Sequence, residues 1–337
     1  MNWRSYKRSS PAPAATAIPV GLPAVVAVAL VLGAAVCAPV SAENAAPTEA
    51  AAREHPTAAP KPSPGAGPRP FGLSIGAGAG YVPVAKGVNA WEPLLMPQVE
   101  ARLGRRVVLG TGGLAVRVLG VPGEGDSGAA AGAAGGPAGD GAGATNEPPG
   151  VRVTALFLPN FGRYDEHLPA DYDGIGDVPA TGEAGLDVGV RLWKGLEATA
   201  RLAADALGRG HGGSYAAVGV RWRGAFPRAD PDGGGGISRA GLQCALGADV
   251  VAGTLDYMEA YYGVSETQAR RTAFDTYDAA AGLEAVRAHV TLALPLGPRV
   301  IVASETTAML LVGTARRSPL VRSPEQGATR LIVTYRL

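Results

Sequence analysis

The residues able to do chemistry are few and scattered. Of the four histidines, His55 falls in a proline-rich stretch, His167 and His211 between apolar runs, and His289 within one. A hydrolase needs a nucleophile hydrogen-bonded to a base, with a third group orienting the pair. Ser214 lies three residues beyond His211, but that spacing along a glycine segment sets no geometry. Asp171 and Asp173 begin like a calcium loop, yet the glycine and the distal glutamate are not at EF-hand spacing. The run Gly72, Gly76, Gly78, Gly80 precedes no helical pattern, and no acid stands where a dinucleotide site needs one. No catalytic residue, metal ligand or cofactor motif emerges, and the chain reads as a non-enzyme.

What remains is a pattern of charge. Between Thr181 and Ala206 the even positions Ala184, Leu186, Val188, Val190 and Leu192 are apolar, while Glu183, Asp187 and Arg191 occupy odd ones. After Trp193-Lys194-Gly195 the alternation resumes, with Leu196, Ala198, Ala200 and Leu202 opposite Glu197, Arg201 and Asp205. A period of two means strand, because successive side chains point to opposite faces. Each run is long enough to cross a hydrocarbon core, which a tilted strand does in roughly 9–11 residues. The opposite orientation would put each of those charges into lipid, at about 2–4 kcal/mol for a midplane Arg and somewhat less for an acid. The stretch therefore reads as a transmembrane hairpin of a β-barrel, with Glu183, Asp187, Arg191, Glu197, Arg201 and Asp205 facing the lumen.

The alternative for one hairpin is a soluble antiparallel sandwich with one wet face. Other segments repeat the split and favour the barrel. Phe71, Leu73, Ile75, Ala77, Ala79 and Tyr81 oppose the glycine run; Ala216, Val218, Val220 and Trp222 oppose Arg221 and Arg223; Leu242, Cys244, Leu246 and Val250 oppose Arg239 and Asp249. His289, Arg287, Glu305, Arg330 and Arg336 also point inward, and the last strand ends on Leu331, Val333, Tyr335 and Leu337. Such mixed charge either lines a wet channel or pairs up and fills the interior.

The totals agree. Lys+Arg 30 against Asp+Glu 29 gives a charge of +1 and no reason to expect nucleic acid. Charge at 18% is below the ~25% of soluble domains, and a mean hydropathy of +0.11 is too low for a polytopic helical protein. Two cysteines, Cys37 and Cys244, make no disulfide framework.

Residues 1–42 look like an export signal: Arg4, Lys7 and Arg8, an apolar run from Val20 to Val36, then Val40-Ser41-Ala42. Residues 43–70, rich in Pro and Ala, read as a disordered linker. The barrel is expected over 71–337, interrupted at 121–149 by a low-complexity Gly/Ala insertion. The fold class is all-β, an antiparallel up-and-down barrel of about twelve strands, with ten as the alternative, and bacterial barrels have an even number. Parity places long loops at 82–92, 160–180, 207–213, 253–276 and 312–326 outside, and short turns near 103, 194 and 296 in the periplasm. The loop at 160–180 reads as solvated and acidic. The one at 253–276 carries Tyr257, Tyr261 and Tyr262, which with His211 are the candidates for an external ligand or partner. The commoner use of such aromatics is to anchor a barrel rim at the membrane interface.

Asp256-Tyr257-Met258-Glu259-Ala260-Tyr261-Tyr262-Gly263-Val264, then Gln268-Ala269 and Tyr277-Asp278-Ala279-Ala280-Ala281-Gly282-Leu283, resemble the MipA/OmpV outer-membrane family. Gly174-Ile175-Gly176-Asp177, Gly210-His211-Gly212-Gly213 and Ser318-Pro319-Leu320-Val321 extend the resemblance over roughly 71–337. The 121–149 insertion, the longer 224–236 turn and the final Leu337, where such barrels usually end in Phe, depart from it. The resemblance implies a barrel in the outer membrane of a Gram-negative bacterium, exported through the periplasm and surrounded by outer-membrane lipid. It also implies a scaffold in peptidoglycan assembly that joins a murein lytic transglycosylase to a bifunctional murein synthase. A porin-like channel, or an adhesion or osmotic-response protein, is the alternative it carries. It supplies no catalytic residues and no cofactor.

Overall fold

Twelve antiparallel strands close on themselves in the computed structural model, which describes residues 71–104, 106–119, 150–226 and 241–337. They are β1 (Phe71–Pro83), β2 (Trp91–Leu103), β3 (Val107–Gly110), β4 (Gly113–Leu119), β5 (Val151–Asn160) and β6 (Thr181–Trp193). The wall continues with β7 (Leu196–Asp205), β8 (Ser214–Phe226), β9 (Leu242–Gly253), β10 (Gly282–Pro295), β11 (Val300–Leu311) and β12 (Glu325–Arg336). Each strand pairs with its chain neighbour, and β1 pairs β12 from Ser74↔Arg336 to Tyr81↔Thr329, so the wall has no first or last edge. The expected signal at 1–42, the linker at 43–70, the insertion at 121–149 and Arg239 lie outside the described residues.

The alternation read between Thr181 and Ala206 sets the register of β6 on β7. Glu183 stands opposite Asp205, Asp187 opposite Arg201 and Arg191 opposite Glu197, with Leu186 facing Leu202 on the other side. Gly195 makes the turn possible: its φ is +72°, and a Cβ there would run into the Arg223 carbonyl oxygen. The two faces have the burial of a soluble sheet turned inside out. Leu186, Val190, Leu202, Val218, Val220, Leu331 and Val333 are exposed, while Glu183, Asp187, Glu305 and Thr334 are buried. An apolar surface of this extent around a closed wall has to be covered, and hydrocarbon covers it without polar partners. The protein is a transmembrane β-barrel.

Two strands fall short of full height. β3 meets β2 only at Glu100–Leu103, and Pro93 and Pro97 lie in the part of β2 that has no described partner on that side. The missing N–H groups of those prolines suit an open edge.

The two ends of the barrel are unlike. One carries turns as short as Lys194-Gly195, and the other carries every long connection among the described residues. At that loop end the segment after β9 forms helix α1 (Leu255–Tyr262) and a short helix α2 (Glu266–Ala269), and the segment after β11 forms α3 (Gly313–Arg317). Sequence alternation is silent about helices, and the expected 253–276 loop proves to be partly helical. Its strand then begins at Gly282.

Candidate functional site

Helix α1 is short, and its sequence gives it one apolar face. Tyr257, Met258, Tyr261 and Tyr262 recur at the one-and-four spacing of a helical stripe, and all four are buried. Thr254 precedes it and staples it to the wall, its hydroxyl donating to the Ser214 carbonyl (3.1 Å) and accepting from the Ser214 N–H (2.9 Å). α2 opens with a capping box in which Ser265 and Gln268 satisfy each other's backbone. Gln268 then donates to the Ile175 carbonyl at 2.6 Å, which ties this segment to the β5–β6 loop.

These loops share two apolar clusters. Tyr257, Met258, Tyr261 and Tyr262 pack with Val178, Leu311 and Ala315; Val88, Tyr172, Ile175, Val264, Phe274 and Leu320 form the second. The result is a folded cap over one mouth of the barrel. The 160–180 loop is therefore not merely solvated acid. Asp165 and Asp177 fold it by accepting from the Gly174 and Asp165 N–H groups at 3.0 and 2.8 Å, while Tyr172, Ile175 and Val178 are buried. Nor do Tyr257, Tyr261 and Tyr262 anchor the rim in lipid, because helix α1 turns them inward. The aromatics stacked on the outer rim are Tyr81 and Trp91, with ring centroids 5.7 Å apart.

A buried carboxylate, Glu284, stands under the cap. Glu284 accepts from Lys86 Nζ at 2.6 Å, from Tyr262 at 2.7 Å and from Tyr257 at 3.1 Å. Lys86 also donates to the Tyr257 hydroxyl and lies over the rings of Tyr257 and Tyr261, 4.7 and 4.6 Å from their centroids. Burial opposes the charge on Lys86, but Glu284 and the nearby tyrosines outweigh it and hold the ammonium above its ordinary pKa. Burial, and then the charge of Glu284, push the Tyr257 and Tyr262 phenols well above theirs.

A strict alternation cannot place Glu284, because β10 bulges there. Leu283 pairs with Ala252 and Ala285 with Val251, leaving Glu284 as the extra residue whose side chain is turned inward. Lys86 has no periodic pattern around it. Asn160 is a third residue that the pattern misses, donating to Glu183 at 2.6 Å and to the Tyr261 hydroxyl at 3.0 Å.

His211 joins the same cap. Its Nε2 lies 3.1 Å from Glu183 Oε1, and the Gly213 N–H points at its Nδ1 from 3.2 Å. With Nδ1 accepting, the ring proton sits on Nε2 and is directed at the carboxylate. Tyr215 also donates to Glu183, at 3.1 Å. His211 stands edge-on to Tyr257, with ring centroids 5.0 Å apart. The Ser214 backbone is committed to Thr254, and the hydrogen bonds of the imidazole go to Glu183 and Gly213.

Below the cap, the expected lumen charges pair. Arg152 bridges Asp187 and Glu197, both at 2.9 Å, and Arg201 meets Asp187 from the other side at 3.0 Å. Arg287 holds Asp249 at 2.7 Å and Arg330 holds Glu305 at 2.6 Å. Arg152 was not among the expected lumen charges, although alternation in Val151-Arg152-Val153 turns it inward. Asp205 departs from the expected role. At the loop-end terminus of β7 it accepts from Thr181 and from the N–H groups of Leu207, Gly208, Gly210 and Gly212 at 2.5–3.1 Å, so it folds a loop. Arg191 lies on the lumen face opposite Glu197. Arg221 and Arg223 line a chamber of ≈ 440 Å³ beneath the cap, together with Lys86, Tyr215, Tyr257, His289, Glu183 and the paired charges of Asp187, Asp249 and Glu305. Asp171 and Asp173 gather no ligand set, and among the described residues no group of three or more His, Cys, Asp or Glu could hold a metal ion.

Among solved structures the fold has distant likenesses. The chain resembles the outer membrane channel DcaP of Acinetobacter baumannii at 8% identity, covering 79% of this chain and 96% of that one, with a TM-score of 0.31. It resembles OprB of Pseudomonas putida at 10% (79% and 93%, TM-score 0.32), and an anion-selective porin from Comamonas acidovorans at 12% (79% and 98%, TM-score 0.27). No curated protein sequence matches. A family model described as MltA-interacting protein MipA matches residues 75–337, from the first strand to the last residue. Apart from the first four residues of β1, all twelve strands, the tyrosine helix and the glycine segment around His211 lie within that match, and the chain belongs to the MipA family.

Proposed function

We propose that this outer-membrane barrel is a non-enzymatic structural platform in peptidoglycan assembly, binding a murein lytic transglycosylase and, through it or beside it, a bifunctional murein synthase. The observation that carries the structural part is the closed mouth. A channel for free diffusion needs a continuous wet path, whereas here α1 and the loops around it cover one end, and the charges beneath pair along the wall between neighbouring strands. The partner follows from the family description, in which the interaction with MltA, a lytic transglycosylase, is the defining property. Its contacts would be made from the turn end, which faces the periplasm when the long loops face outward.

The mature protein, refolded and reconstituted into a planar bilayer, tests the first part. Folded, heat-modifiable protein without steady conductance steps is expected; steps from unmodified protein would replace the platform with a channel. Retention of a lytic transglycosylase on the immobilised barrel tests the second, and equal retention on an unrelated twelve-stranded barrel would remove the partner from the proposal.

A further inference from the structure

The chamber beneath the cap has a chemical bias of its own. Every acid paired above already holds a cation or a hydrogen-bond donor. Arg221 is different: it faces the chamber, and among the described residues no acid is hydrogen-bonded or ion-paired to it. Its neighbour on the same face, Arg223, is two residues along the strand, about 7 Å away, and like charges at that spacing repel. On one side Arg221 stands opposite Glu197, whose carboxylate is held by Arg152, and on the other opposite Gly247, which in turn stands opposite His289. Gly247 has no side chain, and the His289 ring lies over it where any Cβ would collide. The imidazole is thereby laid toward β8. Ala217 and Ala245 keep the adjoining wall low, which leaves the room in front of the guanidinium.

A planar fork of N–H donors without its own carboxylate, beside a second guanidinium and an imidazole, is matched by a planar or tetrahedral oxyanion. The volume, ≈ 440 Å³, is that of a small-molecule site. We propose that the chamber binds a small solute bearing a carboxylate or phosphate group, held at Arg221, with Tyr257 of the cap in its roof. This goes beyond the murein reading and stands whether or not that reading does.

Calorimetric titration of the full barrel in detergent with citrate, and separately with inorganic phosphate, tests it. Saturable binding of at least one probe is expected, and the preferred probe identifies the group. Arg221→Gln should weaken that binding at least tenfold, while Arg299→Gln at the exposed turn end leaves it unchanged. Ala245→Leu fills the chamber without touching a charge and should weaken binding comparably, which decides the matter if Arg221→Gln does not fold. Absence of saturable binding by either probe, or wild-type binding in a folded Arg221→Gln or Ala245→Leu variant, overturns the proposal.

Discussion

The wall and the cap solve opposite problems with the same residue types. In the wall, leucines and valines face out and the acids face in; Leu186 is exposed and its neighbour Asp187 is buried. In the cap the usual order returns, with Met258 and Tyr262 at 0% exposure and Glu166 in solvent. What differs is the solvent each was built against. Hydrocarbon surrounds the wall, so its apolar side needs no protein partner and its polar side must find partners within. Water surrounds the cap, so it needs an apolar core of its own, made from five connections far apart in sequence.

If that contrast holds, the largest single effect belongs to the cap and stays there. Tyr262 is fully buried and donates to Glu284, and Ser318 donates to its carbonyl at 2.6 Å. Truncating a buried aromatic costs about 3–5 kcal/mol, which exceeds what about two turns of helix and a few loops can spare. Tyr262→Ala should make the 254–281 segment protease-sensitive while the barrel keeps its heat-modifiable mobility. Loss of the barrel as well would mean that wall and cap fold as one unit, and the contrast would fail.

The wall is tested by Leu186→Arg, near the middle of β6. An arginine facing lipid at the midplane costs about 2–4 kcal/mol, and it should lower the urea midpoint of refolding into liposomes without exposing the cap to protease. An unchanged midpoint would mean that Leu186 does not face hydrocarbon.

These two residues also mark how far sequence alone reaches. Leu186 was readable because a wall strand repeats every second residue and the lipid face accepts only apolar side chains. The lumen face of Asp187, Arg191, Glu197 and Arg201 followed from the same alternation, and the register sets Asp187 opposite Arg201 and Arg191 opposite Glu197. Glu284 was hidden because a bulge inserts it out of phase, and Lys86 because a single lysine in a loop has no period to betray it. The cap core was half visible: the spacing of Tyr257, Met258, Tyr261 and Tyr262 is helical, but eight residues flanked by glycine read as a loop until Val178 and Leu311 are seen to cover them. Asp205 was assigned to the correct face, but its side chain folds a loop instead, because it ends its strand and the next residues offer it four N–H groups.

A smaller and more specific effect comes from pH. Unfolded tyrosines ionise near 10, whereas burial and the Glu284 charge hold Tyr257 and Tyr262 well above that in the folded cap. Below about pH 10 both states keep the protons and the stability of the cap is level; above it the unfolded form loses protons that the folded one retains, so stability falls as pH rises. Lys86 acts in the same direction. Its folded pKa is raised, so the stabilisation from its ion pair is present below about 10.4 and is lost as pH climbs through the folded value. Phenolate absorbance should show one group of tyrosines ionising normally and another only as the cap becomes protease-sensitive. A single normal titration with the cap intact would remove the buried carboxylate from the account.

The smallest expected effect compares two glutamates of that cap. Glu284 has a side chain 3% exposed and three donors, whereas Glu166 is 81% exposed and, among the described residues, meets only His167, at 3.8 Å. Exposed pairs contribute about 0–1 kcal/mol because water and salt already solvate both partners, and surface substitutions stay within about 0.5 kcal/mol. Glu166→Ala should therefore leave cap protection unchanged at any salt concentration. Glu284→Ala strands Lys86 and two phenols without their acceptor, and a buried donor left unsatisfied costs about 1–3 kcal/mol. The pair of variants isolates position from chemistry, since both remove the same carboxylate. Equal loss of protease protection in the two would mean that net charge, and not the contact network under α1, holds the cap on the barrel.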